Sequence, residues 1–338
     1  MSRDAALVVL SEEPLNAETR LSAMNGPVVP TPRFYVRSHF AIPHGPERLV
    51  VAGAVRSPQT LTLEEIRALP ERTLTVTLEC AGNGRASFEP RVRGEQWGLG
   101  AVGTAEWKGT ALRTVLERAG PTRSAIEVLC AGADAGDVPD LGRGAAFERS
   151  LPLTKALHED TLLAYEMNGE PLSSEHGAPL RLIVPGWYGM ASVKWLSRLT
   201  LLTRPFRGFF QRDRYVIDGR PLTAMATRAI IASPQDGDVL VRGSQVVRGY
   251  AWAGETPVLS VELSVDGGAS WDRAELLGEP RPYVWREWTY SWDARDPRAV
   301  TLLARAYDAN GHGQPDQARR NRLGYANNSI QRVRVRVG

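Results

Sequence analysis

What this chain has least of is cysteine. Cys80 and Cys130 are the two in 338 residues, too few for a secreted disulfide framework and without CxxC or CxxCH spacing. Both are expected to be reduced thiols. No stretch of about 18 apolar residues is there to span a membrane. The opening residues, MSRDAALVVLSEEP, hold an apolar patch too short for a signal peptide and no twin arginine, so a cytoplasmic location is expected. Net charge is also small, +3 from 41 basic and 38 acidic residues. Nucleic-acid binding would want clustered cations interleaved with stacking aromatics. The one regular basic run, Arg332, Arg334 and Arg336, alternates with valines, as the solvated face of a strand does. HExxH, histidine pairs at i, i+4, GxSxG and a Walker loop are all missing, and GLGAVG at 98–103 lacks GxGxxG spacing. Zinc, serine-hydrolase, P-loop and nicotinamide chemistry therefore lose their usual signatures. A Cys-His hydrolase stays open, without an orienting motif.

What is present is ordinary globular material, 43% hydrophobic and 23% charged, in a chain longer than one core usually holds. The expected fold is α+β: a mixed α/β domain over 30–221, then an all-β immunoglobulin-like sandwich over 222–338. Residues 1–29 are expected to wrap as an arm with no core element. In the first domain Leu49 to Val55 reads as a strand, and Thr62-Leu-Glu-Glu65 as a capping box whose helix ends before Pro70. Thr73 to Leu78 reads as the strand that delivers Cys80 into a Gly-rich turn. Thr110 is the expected N-cap of a helix facing Leu112, Val115 and Leu116 inward, with Gly120 closing it. Ile126 to Cys130, Leu162 to Met167 and Leu180 to Val184 read as further strands. After Pro221 alternation takes over, as in Leu259, Val261 and Leu263 against Ser260, Glu262 and Ser264.

Cys80, in LECAGNGR, lies between a strand end and two glycines, where a backbone approaches a ligand closely. The bland account is a small buried hydrophobe, which for Cys130 is the whole account. Cys80 has company that would favour a thiolate and cradle an anion: Arg37 and His39 in FYVRSHF, Arg85, and His176 and Arg181 in HGAPLR.

FYVRSHFAIP, ECAGNGR, QWGLGAVGTAEWKGTAL and HGAPLRLIVPGWYGMASVKWL, in that order, resemble the sulfite oxidase family of molybdopterin enzymes. In the β region GYAWAG, VELSVDGGASW and QPDQARRNRLGYANN are similar to the family's dimerisation domain. The resemblance covers about residues 30 to 338. It implies that Cys80 is the single thiolate on molybdenum, beside the cofactor's own sulfurs, and soft sulfur suits such a metal. It further implies cofactor contacts at Tyr35, Val36, Arg37, Ser38, His39, Asp134, His176, Arg181, Ser192, Val193 and Lys194. Arg, Lys and His recur among them, as a phosphate ester would require. The substrate pocket implied is Arg37, Arg85, Trp97 and Tyr215, with Tyr188 as a competitor for the tyrosine's role.

Two departures bear on substrate. Vertebrate members carry an arginine in a WNLRG segment, where RNRLG here places Leu323, with Arg322 adjacent and Arg320 at the tryptophan. The family's GAR triplet is GMA here, with Ala191 at the arginine. The implied activity is oxidation of sulfite, a small sulfur oxyanion, to sulfate. The chain carries no haem motif, so electrons would leave to an external acceptor such as a cytochrome, and a homodimer is implied. A sulfoxide, carrier-bound sulfur or nitrate is the alternative substrate, and a non-catalytic scaffold the alternative class.

Overall fold

Strand ladders decide most of the architecture, even where local capping signals compete. The computed structural model describes residues 4–338. The capping box at Thr62 is formed: Thr62 Oγ1 accepts from Glu65 N at 3.2 Å and Glu65 Oε2 accepts from Thr62 N at 2.8 Å. It opens the short helix Leu63–Arg67. The helix Leu112–Ala119 buries Leu112, Val115 and Leu116 and stops at Gly120, whose φ of 67° favours a residue without Cβ. Its N-cap is Ala111, however, not Thr110. Thr110 stays in the strand Val102–Ala111 and its hydroxyl donates to Pro70 O at 3.0 Å, so pairing takes it from the helix.

The first domain has two five-stranded sheets. One joins Glu71–Glu79, Val102–Ala111, Leu162–Met167 and Glu170–Pro171, with Arg181–Ile183 also paired to Leu162–Met167. The other runs Gln59–Thr62, Arg48–Gly53, Leu196–Leu202, Glu127–Val138 and Arg143–Pro152, with one parallel pair, Arg48–Gly53 against Leu196–Leu202. One antiparallel and one mixed sheet with few helices give the α+β domain that the sequence suggests.

Residues 4–29 correct the expectation of an arm without elements; the first three residues lie outside the described ones. Leu7–Ser11 and Asn16–Thr19 pair with each other and then with Val36–Arg37 in a three-stranded sheet. Asn16 is fully buried. Its Oδ1 accepts from Arg37 Nη1 at 2.9 Å and Ser38 N at 3.1 Å, while Nδ2 donates to Ser11 Oγ at 2.9 Å and Pro14 O at 3.0 Å. Glu18 accepts from the backbone N–H groups of Gly98 and Gly100. Short period-2 segments broken by a turn leave too little pattern to be read from sequence.

The second domain is a sandwich of two sheets. Arg228–Ser233, Gly243–Trp252, Arg286–Ala294 and Glu275–Leu276 form one. Val239–Leu240, Arg332–Val337, Ala299–Asp308, Val258–Ser264 and Asp272–Arg273 form the other. Val247 and Trp288 pack from the first onto Val261, Leu302 and Val333 of the second. Arg332, Arg334 and Arg336 point to solvent, and Arg334 pairs with Asp236, as the alternation implies. Tyr250, Trp252, Trp285, Leu323 and Tyr325 instead join the first domain's apolar core. The two domains therefore share buried surface next to the Cys80 turn.

Asn16→Ala leaves the buried Ser38 N–H without its acceptor and removes one of the two acceptors of Arg37 Nη1, and should cost about 1–3 kcal/mol. Urea unfolding checks this; an unchanged midpoint would show that the N-terminal strands do not brace the site.

Candidate active site

Cys80 lies where two cavities meet. An inner pocket touches Tyr35, Arg37, Ser38, His39 and Cys80 on one set of loops, and Asp134, His176, Arg181, Ser192 and Lys194 on another. An outer cleft of about 730 Å³ opens from Cys80 past Arg37, Arg85, Trp97 and Tyr215. The strand Glu71–Glu79 ends one residue before Cys80, whose N–H donates to Ala101 O at 2.8 Å. Burial pushes the Cys80 thiol up, and Arg37, then the Gly82 N–H and Arg85, pull it back. Cys130 differs: it is fully buried in a strand, pushed up to about 12 by burial with no cation opposing. Its reading as an inert small hydrophobe holds.

The inner pocket is rich in cations with little to neutralise them. Lys194 Nζ donates to Ser38 Oγ at 3.0 Å and Glu175 O at 2.8 Å, and burial holds its ammonium well below the usual lysine range. Arg181 donates to His176 O at 2.9 Å and Ser192 O at 3.1 Å while its Nε has no partner. Asp134 Oδ1 is buried and also unpartnered, its carboxyl pushed up to about 6 by burial against the pull of Lys194. His176 is lowered to about 3, by burial first and then by Arg181 and Lys194.

Tyr215 is held at φ 54°, with its ring stacked on Tyr325 at 5.1 Å and the Arg149 guanidinium 5.7 Å over its face. Its hydroxyl meets His39 Nε2 at 2.5 Å, and Arg37 Nη2 lies 3.0 Å from His39 Nδ1. Burial, then Arg37, Arg214 and Lys194, keep His39 neutral by lowering it well below the ordinary histidine range. Tyr188 does not compete: its hydroxyl accepts from Ala226 N at 3.3 Å and lines neither cavity.

Two implied contacts do not reach the pocket through their side chains. Val36 packs on Leu15 and Ala17, and Val193 joins the main core. Val36 lies on the strand Val36–Arg37, where neighbouring positions face opposite ways, so it and Arg37 cannot both face one ligand. The RNRLG segment reaches the cleft. Arg322 lines it, while Leu323 also faces it and accepts from Arg85 Nε at 3.2 Å through its carbonyl. Ala191 is buried and lines neither cavity.

Comparison with known proteins agrees with this geometry. The family model for an oxidoreductase molybdopterin binding domain matches residues 39–210, and that for a Mo-co oxidoreductase dimerisation domain matches residues 220–338. The chain belongs to the sulfite oxidase family. Mouse mitochondrial sulfite oxidase is 35% identical over 99% of this chain and 66% of its own length, so the chain spans just under two thirds of that relative. Sulfite oxidase of Arabidopsis thaliana is 32% identical over 99% of this chain and 95% of its own. The sulfane dehydrogenase SoxCD of Paracoccus pantotrophus superposes with a TM-score of 0.83 at 29% identity, covering 95% of this chain and 84% of that one.

The residues present fit the cofactor of a sulfite oxidase family member. Arg37 and Arg181 in no ion pair, and the orphaned Asp134 Oδ1 and Arg181 Nε, are what an anionic ligand rich in hydrogen-bonding groups would satisfy. Among the described residues no group of three or more His, Cys, Asp or Glu could hold a bare metal ion. A metal at Cys80 must bring other ligands with it, as a pterin dithiolene does.

Sequence reasoning missed Arg149, Arg214 and Tyr325, which surround Tyr215 and the cleft. Arg149 is 1% exposed in a strand and donates to Phe210 O. Nothing around FERS marks it. Arg214 was findable, as the neighbour of Tyr215.

Acid stability follows from His176. Its folded value, about 3, is below the ordinary 6.5, so the unfolded chain binds the extra proton first and stability falls as pH drops from about 6.5 toward 3. His176→Gln should flatten that part of the cofactor-free protein's melting temperature against pH. An unchanged slope would contradict a buried neutral imidazole.

Proposed function

We propose that this chain oxidises sulfite to sulfate at a molybdenum centre held by Cys80, passing the two electrons to an external acceptor such as a cytochrome. The observation that carries the reading is the meeting of one thiol, Cys80, with Arg37, Arg85 and Tyr215 at the mouth of a buried cationic pocket. Overall, sulfite and water give sulfate, two protons and two electrons. The bound cofactor supplies the two-electron oxygen-atom transfer; the protein binds, orients and manages protons. Ser38, Asp134, His176, Arg181, Ser192 and Lys194 would hold the cofactor's polar groups, with Tyr35 and the backbone of Val36 and Val193 supporting them. Arg37 and Arg85 would bind the oxyanion by charge-assisted hydrogen bonds. Trp97, 1% exposed, closes an apolar side of the cleft. The Tyr215 hydroxyl and His39 Nε2 form a hydrogen-bonded pair through which a released proton can leave.

Leu323 favours a second reading, the same site acting on a larger sulfur compound, since it puts an aliphatic side chain in the cleft beside Arg85. SoxCD, a sulfane dehydrogenase by name, supports that breadth. A homodimer through the second domain is part of the proposal, supported by the dimerisation-domain match and by exposed Val239, Val241 and Val246 on that domain. So is a reducing, cytoplasmic setting, supported by two free thiols. No helix of the described residues is long and apolar enough to cross a membrane.

Cys80→Ser should abolish sulfite turnover while the melting temperature stays close to that of the parent. Activity retained with a large loss of melting temperature would make Cys80 a packing residue. Arg85→Gln removes a charge-assisted contact of about 1.5–3 kcal/mol, so kcat/KM for sulfite should fall roughly tenfold or more. If molybdenum-loaded protein forms no sulfate yet reduces a sulfoxide, the substrate is the second one. Protein free of molybdenum, from a host that makes the cofactor, would favour a scaffold.

A further inference from the structure

We propose that the β sandwich is a working half of the metal site, with Glu79 as a positioning residue that fixes the Cys80 turn from the second domain. This rests on the reading of Cys80 as the metal ligand. The second domain's family model speaks of dimerisation, which needs no contact with that turn.

Glu79 is 2% exposed at the last position of its strand. Its Oε1 accepts from Arg228 Nη1 at 3.2 Å and Asn83 Nδ2 at 3.0 Å, and its Oε2 from Trp252 Nε1 at 2.9 Å. Arg228 and Trp252 face each other across paired strands of the sandwich. Arg228 donates in addition to Asn83 O at 3.3 Å. The rest of the turn is tied the same way: Ala326 N donates to Ala81 O at 2.9 Å, Asn327 Nδ2 to Gly84 O at 2.7 Å, and Arg85 Nε to Leu323 O at 3.2 Å. Gly84 has φ 81°, and a Cβ there would lie 2.7 Å from Arg228 Nη2 and 3.2 Å from Asn327 O, so the second domain packs directly on the turn. Cys80 sits inside this lattice with its own N–H bound to Ala101 in the first domain. Its sulfur is therefore aimed by both domains at once.

A buried ion pair adds little net stability, because desolvation of both charges offsets their attraction. What it supplies is one fixed geometry, and partners one step behind a ligand govern metal affinity. A purely structural strut would change folding without touching the metal bond.

The test uses the cofactor-loaded protein with Glu79→Gln/Arg228→Met, which removes both charges together, and Trp252→Phe, which keeps the ion pair and removes one donor. Melting temperature, molybdenum per chain, and the thiolate-to-metal charge-transfer absorption are measured. The double variant should stay folded yet bind the metal roughly tenfold or more weakly. In both variants the charge-transfer band should move. Should the double variant fail to fold, Trp252→Phe decides by the band alone. Wild-type metal content and an unmoved band in the folded variants would overturn the role of Glu79. A wild-type protein that binds no molybdenum would overturn the reading of Cys80, and this proposal with it.

Discussion

The structure turns on uncompensated positive charge gathered around one sulfur atom. Arg37, Arg85, Arg181 and Lys194 line the two cavities at Cys80, with Arg149 behind Tyr215, and among the described residues none of the five lies in an ion pair. Burying a cation costs several kcal/mol unless something answers it. Backbone carbonyls answer part here, from His176, Ser192, Glu175, Glu95 and Leu323. The remainder is a standing demand for anions, one for the inner pocket and one for the cleft. A phosphate-bearing cofactor and, on the proposed function, an oxyanion substrate would meet it.

The same demand explains the scaffold. A charged pocket would relax if its walls could move, so the walls come from rigid elements of every part of the chain. The N-terminal strands fix Arg37 and Ser38 through Asn16. The first domain's sheets supply Cys80, Asp134 and Arg181. The sandwich holds the Cys80 turn through Arg228, Trp252 and Asn327. Function thus sits on a seam between domains, a common place for small-molecule sites.

Much of this was legible in the sequence because its signals are local. Alternation at Val261 and Leu263, the Thr62 capping box and the Gly-rich turn after Glu79 each sit within a few residues, although Leu259, expected on the same face, is exposed where the strand shifts register after Val258. The motif around Arg37 and His39 found the pocket as well. What escaped depended on distance in the chain. Asn16 meets Arg37 across 21 residues, and Glu79 meets Arg228 across 149. Arg149 joins Tyr215 only through strand packing. Val36 and Val193 belong to continuous motifs, yet their side chains pack into apolar clusters and only their backbone can turn to the pocket. Thr110 carries a local capping signal, but its pairing with Leu163 lies far along the chain and decides its place.

The central claim is a bond between the Cys80 sulfur and molybdenum, and X-ray absorption at the metal edge measures it directly. The account predicts that the sulfur shell around molybdenum in loaded Cys80→Ser has one scatterer fewer than in the parent, with the cofactor's own sulfurs unchanged. An identical sulfur shell in the two proteins would contradict it.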